Sequence, residues 1–285
     1  MLYPSPLRFP GGKRKIAEFI SDCIVLNGVQ GGTYIEPFVG GGNVALFLLL
    51  KEVVNNIVIN DLDRSIYAFW HSVLFDTDNL CGLIEDTPIT MDEWHIQKEI
   101  QTKKAGMNLL DLGFSTFFLN RTNRSGILNG GVIGGKQQNG VWKMDARFRK
   151  DSLIKRIEKI AGYKNRIELY NLDAMELINT IQPSLGLKSF IYFDPPYYNQ
   201  GATLYSNHFT HEDHEKLAEF IKSLDSKWIL TYDYTPQIIE MYQDTEKRLL
   251  TLNYTAIQKM KGKEMLAYCD GFVLPTGAYP SIKIE

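Results

Sequence analysis

Asp194-Pro195-Pro196-Tyr197 follows the apolar run Phe190-Ile191-Tyr192-Phe193 and precedes a polar, glycine-containing loop. A run of large apolar and aromatic residues stopped by two prolines reads as a buried strand reaching the rim of a sheet, because proline cannot join a central ladder. In open parallel α/β sheets ligands bind beyond the carboxyl ends of the strands, so the Asp194 carboxylate and the Tyr197 ring are placed to meet one. A plain strand-ending turn uses the same residue types, and the motif alone leaves both readings open.

Other stretches supply partners for such a site. Glu36-Pro37-Phe38-Val39-Gly40-Gly41-Gly42 leads from a strand pattern into the apolar helix Val44 to Leu50, an arrangement that brings a ligand against backbone N–H groups and a helix N-terminus. The spacing is not Gly-x-Gly-x-x-Gly, since Ala45 stands three residues after Gly42, so a dinucleotide fingerprint is weak. Asp61 ends a second short strand, Asn56 to Asn60, about 20 residues after the glycines, a position suited to ribose hydroxyls. Asp63 is the better N-cap for the next helix, Arg64 to Phe75, which leaves Asp61 for a ligand. Lys13, beside Gly11 and Gly12, fails as a P-loop because Arg14 follows it, but a cation near exposed N–H groups can hold a carboxylate. His208, His211 and His214 lack the carboxylates of a metal set, His211 is placed to open a helix, and no metal is expected.

These residues need a sheet to hold them. The order of strand and helix patterns predicts an α/β fold with a mostly parallel sheet, closed by an antiparallel hairpin from Leu249 to Ala256 and Met265 to Tyr268 across the link Lys259 to Lys263. Further helices are expected over Ser152 to Ala161, Ala174 to Ile181 and His211 to Leu224. From about Trp70 to Asn165 the alternation stops and helical patterns over Met91 to Thr102 and Leu109 to Leu119 take over, so residues 70–165 read as an inserted helical subdomain between 1–69 and 166–285. The stretch from Asn120 to Gly135 is too polar and glycine-rich for a packed element, and is expected to form a mobile loop. At 285 residues, 44% hydrophobic and 22% charged, the chain has an ordinary globular composition. It shows no membrane-length apolar run and no secretory pattern at its start, so a cytoplasmic location is expected. The three scattered cysteines read as core thiols. The net charge of −2 is unevenly spread: Arg121 to Arg166 holds twelve Lys or Arg against three acids, +9, which leaves −11 elsewhere. That segregation fits a polyanion-binding face on an acidic body.

Taken in order, Phe9-Pro10-Gly11-Gly12-Lys13, Glu36 to Gly42, Asp61, Phe118-Leu119-Asn120-Arg121, Asp173 and Asp194 to Tyr197 resemble the motifs of the Dam-like DNA adenine methyltransferases, over nearly the whole chain. The resemblance implies a Rossmann-like methyltransferase sheet binding S-adenosylmethionine. It puts Phe9, Gly12, Lys13, Glu36 and Phe38 near the cofactor, Gly40 and Gly42 at its turn, Asp61 on the ribose, and Asp173 on the adenine amino group. Asp194, Pro195, Pro196 and Tyr197 become the catalytic tetrad, with Asp194 also facing the cofactor. The insertion becomes the DNA-recognition region, with Asn120, Arg121, Asn123, Arg124, Ser125 and Lys136 as its candidate DNA contacts. Arg124-Ser125 stands where Dam-type enzymes tend to carry an aromatic residue and Asn, so their target sequence does not transfer.

The expected activity is site-specific adenine-N6 methylation of double-stranded DNA, by a monomer or weak dimer, with a restriction endonuclease as a separate genetic partner if modification serves restriction. An N4-cytosine methyltransferase, an inactive DNA-binding module with the same fold, and an oxidoreductase using the glycine loop are the alternatives. Asp rather than Ser at the first catalytic position, the intact acidic motifs, and the missing dinucleotide spacing argue against them in turn.

Overall fold

Short runs rich in β-branched and aromatic residues become strands, and amphipathic stretches between them become helices. The computed structural model describes residues 4–8, 13–199, 209–253 and 261–285. A 3-10 turn, Lys13–Ile16, leads into α1 (Ala17–Leu26), followed by β1 (Thr33–Glu36), α2 (Asn43–Leu50), β2 (Asn56–Asn60) and α3 (Arg64–Phe75). Four more helices follow before the sheet resumes: α4 (Thr77–Asp86), α5 (Met91–Thr102), α6 (Leu109–Thr122) and α7 (Lys150–Ala161). Then come β3 (Ile167–Tyr170), α8 (Ala174–Ile181), β4 (Ser189–Phe193), α9 (His211–Lys222), β5 (Lys227–Asp233) and α10 (Pro236–Met241). Three strands close the chain: β6 (Glu246–Asn253), β7 (Lys261–Tyr268) and β8 (Ile282–Ile284).

Among the described residues, eight strands form one sheet in the order β3-β2-β1-β4-β5-β7-β6-β8. The first five are parallel, while β7 runs antiparallel between β5 and β6, and β8 antiparallel beside β6. The expected hairpin is there, but β7 begins at Lys261, inside the stretch read as its link, because Gly262 and Lys263 pair with Leu252 and Thr251. β1 leads outward to β2 and β3 on one side and β4 leads to β5 on the other, so strand order reverses between β1 and β4. Open α/β sheets bind ligands in the crevice beyond the carboxyl ends of the strands at such a point.

Both faces of the sheet are covered, as parallel strands require. Tyr34, Phe190 and Tyr192 point into a core shared with α1, α2, α3 and α6; their neighbours Ile35, Ile191 and Phe193 point into a second core with α8, α9 and α10. The helices between β2 and β3 share the first core, where Phe69, Phe117, Phe118 and Phe148 pack ring against ring. Their position is therefore fixed relative to β1 and β4. No helix among the described residues is long and apolar enough to cross a membrane.

Candidate active site

Four adjacent strands end in acids. In sheet order these are Asp173 after β3, Asp61 after β2, Glu36 closing β1 and Asp194 after β4. The β1–α2 turn between them is tight: Gly40 and Gly42 have φ of +43° and +61°, where a side chain is strained. A Cβ on Gly42 would also stand 3.0 Å from the Trp70 ring, and the Trp70 indole donates to the Gly40 carbonyl at 3.0 Å.

Asp61 ties this turn to β2. Its two carboxylate oxygens accept the N–H groups of Gly40 and Asp63, each at 2.9 Å. Burial pushes its carboxyl up to about 7 against the pull of those bonds, with the Asp63 charge adding to the rise. Asp63 caps α3 by accepting from the Ser65 N–H at 3.0 Å. Asp173 caps α8 in the same way, accepting from Met175 at 2.8 Å and Glu176 at 3.4 Å. Glu36 is buried, accepts the Ala45 N–H at 3.1 Å, and is held well above the usual carboxylate range by burial and then by the nearby Asp194 charge. Phe38 stands edge-on to Phe209, 6.2 Å between centroids. Phe9 and Gly12 lie outside the described residues.

The catalytic candidates meet Lys13, read from the sequence as a cation able to hold a carboxylate, and Glu264, which the sequence did not reveal. Lys13, only 6% exposed, places its ammonium 3.0 Å from Asp194 Oδ1, 2.9 Å from Glu264 Oε2 and 2.5 Å from the Tyr197 hydroxyl. The Tyr197 hydroxyl donates in turn to Glu264. Thr231 on β5 donates to Asp194 at 3.1 Å, and its hydroxyl also meets that of Tyr192 at 2.7 Å. Burial pushes the Asp194 carboxyl up to about 6, with Lys13 opposing the rise and Glu264 adding to it. Its side chain keeps 23% exposure, so water reaches the rim of the group. Beyond the motif, Asp233 at the end of β5 accepts the N–H groups of Tyr198 and Asn199 at 3.0 and 3.1 Å, fixing the path of the loop.

Glu264 and Asp233 face each other in the β5–β7 register. Neither was visible in the sequence, because a lone acid in a terminal strand has no local signature. The one available signal was the place of Glu264, an acid directly before the apolar run Met265 to Tyr268.

Of His208, His211 and His214, two are hydrogen-bonded to tyrosines. His211 Nδ1 meets the Tyr198 hydroxyl at 3.0 Å, buried His214 bonds to Tyr232, and His208 lies outside the described residues. Among the described residues no His, Cys, Asp or Glu cluster is arranged to hold a metal.

In the insertion, Arg124, Ser125 and Lys136 are exposed and Arg121 is partly so. Arg121 bonds to the carbonyls of Arg147 and Pro6, and burial together with Arg8, Arg156 and Arg147 lowers its pKa to about 9. Two expected DNA contacts are corrected. Asn120 and Asn123 are 1% and 0% exposed, because their amides satisfy buried backbone and indole groups. Asn120 clasps both the N–H and the carbonyl of Arg8, at 2.7 and 2.6 Å, and the Gly126 carbonyl at 2.9 Å. Asn123 accepts from the Trp94 indole at 2.7 Å and donates to Ile127 and Leu128. The polar stretch expected to be a mobile loop is a hydrogen-bonded turn: Asn123 bridges Val132, Arg124 N–H donates to Gly131, and Ile133 N–H donates to Thr122.

The chain is 26% identical over 247 residues to the Type II methyltransferase M.MjaIII of Methanocaldococcus jannaschii, covering 78% of this chain and 80% of that protein. It is 24% identical over 253 residues to the Type II methyltransferase M1.LlaDCHI of Lactococcus lactis subsp. cremoris, covering 83% and 84%. Among solved structures it is similar to the rRNA methyltransferase aviRa of Streptomyces viridochromogenes, at 11% identity and a TM-score of 0.34 over 88% of this chain and 83% of that one. The family model for D12 class N6 adenine-specific DNA methyltransferases matches residues 9–261, a span that takes in Lys13, the glycine turn, every acidic strand end and the insertion, and the chain belongs to that family.

Proposed function

We propose that the chain transfers a methyl group from S-adenosylmethionine to the N6 nitrogen of an adenine flipped out of duplex DNA. One observation carries the reading: the Asp194 carboxylate stands at the end of the central strand beside the β1–β4 crevice, braced by Thr231 and Lys13. An adenine amino nitrogen is a poor nucleophile because its lone pair is delocalised into the ring. Ionised Asp194 has only acceptors, so with the Pro195 carbonyl it would take both amino N–H bonds and aim the lone pair along one line. Proline suits the turn because it donates no N–H and restricts φ. Tyr197 would stack on the extruded base, where stacking worth ~1–3 kcal/mol offsets part of the unstacking cost.

The residues present suit the cofactor. It carries a positive sulfonium and ammonium, and the crevice is bordered by Glu36, Asp61, Asp173 and Asp194. Bound there, it supplies an electrophilic methyl group. Asp61 would accept from its ribose hydroxyls and Asp173 from its adenine amino group, while the backbone at Gly40 and Gly42 permits close approach. Residues 70–165 would form the target-recognition region, with Arg121, Arg124, Ser125 and Lys136 on phosphates and bases.

The test is incubation with labelled S-adenosylmethionine and mixed-sequence duplex DNA, followed by digestion to nucleosides. Label in N6-methyladenine, lost in Asp194→Ala, is expected. Label in N4-methylcytosine would overturn the assignment of the base. No label from folded protein that binds the cofactor would overturn the reaction.

A further inference from the structure

Resting on the reading above, a second observation concerns how the DNA is gripped. Residues 133–143 form a turn held from within: the Gln138 amide donates to the Ile133 and Gly135 carbonyls, both at 2.7 Å, and accepts the Met144 N–H at 2.9 Å. Gly140 N–H closes on Gly134 at 3.1 Å, and Gln138, Gly134 and Gly135 take φ of +50°, +86° and +77°. Buried Val132 and Met144 pin the two ends. This braced turn nevertheless presents Val141 and Trp142 to water, at 93% and 68% exposure, while the other tryptophans, Trp70, Trp94 and Trp228, are 1%, 6% and 2% exposed. A tight turn that uses left-handed backbone while exposing Val141 and Trp142 is built for a partner. The surrounding charge indicates which one. Lys136 and Lys143 lie on the turn, with Arg147 and Arg149 just beyond it, and none of the four forms an ion pair among the described residues.

We propose that Val141 and Trp142 form an apolar wedge that seats against base steps in a groove of duplex DNA, with the flanking cations on the phosphates. Apolar side chains inserted at a base step kink and unstack the duplex, which lowers the cost of extruding a neighbouring base.

Trp142 is its own reporter, because acrylamide reaches it far more readily than the three buried indoles. With plasmid-derived duplex fragments at saturation in low salt, its Stern–Volmer quenching constant is expected to fall several-fold. Trp142→Ala should weaken duplex binding roughly tenfold while leaving the slope of log K against log salt unchanged; Lys136→Ala with Lys143→Ala should flatten that slope. Trp142→Phe should restore binding, and calorimetric binding of S-adenosylmethionine to Trp142→Ala, equal to wild type, certifies its fold. Undiminished quenching at saturating DNA, wild-type affinity in Trp142→Ala, or protection by anionic vesicles but not by DNA would overturn the wedge. If the wild-type protein methylates DNA while Trp142 stays open to acrylamide, the wedge alone fails. If the folded wild-type protein binds no duplex at all, the proposed function fails with it.

Discussion

Replacing Glu264 by Gln removes one charge from the catalytic group and keeps a hydrogen-bond acceptor of the same size for the Tyr197 hydroxyl and the Lys13 ammonium. Glu264 and Asp194 each stand about 3 Å from the same Lys13 nitrogen, so the two like charges lie within about 6 Å and repel by ~3 kcal/mol at an effective dielectric constant of about 20. That corresponds to ~2 pKa units, and solvent at the rim of Asp194, 23% exposed, reduces it to roughly 1. Lys13, no longer shared between two negative charges, is balanced by Asp194 alone, which adds to the fall. The sign follows directly: Asp194 starts near 6, must be ionised to accept amino N–H bonds, and loses activity as pH drops through its pKa. Glu264→Gln therefore moves the acid limb from about 6 to about 5.

Other groups facing Asp194 limit the choice of assay. Glu36 on β1 is pushed well above the usual carboxylate range by burial and then by the Asp194 charge, whereas Tyr34, Tyr192 and Tyr232 are buried tyrosines pushed well above an already high ordinary value, so the tyrosines do not titrate near pH 6. Asp61, near 7, does. The profile is therefore read as kcat/KM for DNA at saturating S-adenosylmethionine, where the proposed cofactor contact masks Asp61. A limb that stays in place, or moves to higher pH, would refute the shared-lysine arrangement.

Asp61→Asn should lower S-adenosylmethionine affinity at least tenfold, the scale of a lost hydrogen bond to a charged group, as read by calorimetry. The Asp61 carboxyl stands near 7, above its ordinary value of 3.8, so between about 4 and about 7 the folded chain holds a proton that the unfolded chain releases, and stability falls as pH rises through that window. Melting curves of the cofactor-free protein should thus show a Tm that drops from pH 5 to pH 7.5, and a shallower drop in Asp61→Asn; equal slopes would refute the shift. Asn120→Ala strands two part-buried Arg8 backbone groups and the buried Gly126 carbonyl, and should cost about 2–4 kcal/mol in denaturant melts without changing the salt slope of DNA binding. Gly126→Ala puts a Cβ 2.4 Å from the Arg8 carbonyl at a φ of +80°; it should destabilise the fold by about 1–3 kcal/mol and lower methyl transfer more than cofactor binding, whereas wild-type stability would show that the two segments can part freely.

The sheet was legible because its strands are short apolar runs ending at polar residues, and the helices Arg64–Phe75, Met91–Thr102 and Ala174–Ile181 coincide with their sequence patterns because each starts at a capping Asp or Thr. α4 escaped notice because it begins directly after α3 and carries few apolar residues, and β8 because three residues hold no period. At the site, Asp194 and Asp61 announced themselves by standing at strand ends. Glu264 did not, since its role depends on β7 slotting between β5 and β6, a long-range pairing that no local window contains. Asn120 and Asn123 misled for a related reason: a polar residue after an apolar helix reads as surface, and only the packed chain shows that it satisfies Arg8 and Trp94 instead.

These buried amides bear on how the two halves of the proposed reaction communicate. The N-terminal segment is clasped at Arg8 by Asn120 and packed against Gly126, both in the insertion. A few residues later the same segment delivers Lys13 to Asp194, Glu264 and Tyr197. Lys13 thus follows closely in sequence on a residue held by the insertion that would hold the DNA. With one cation between two carboxylates the group carries a net charge of −1 when Asp194 is ionised, which favours a cationic methyl donor over its neutral product and also favours the positive charge that develops on the amino nitrogen as the methyl arrives. Tyr197 cannot both stack on a base placed at Asp194 and keep an arbitrary rotamer, and the bond from its hydroxyl to Glu264 fixes the plane of the ring before a base is there. On this arrangement Glu264 would set the charge and the geometry of the site without touching either substrate.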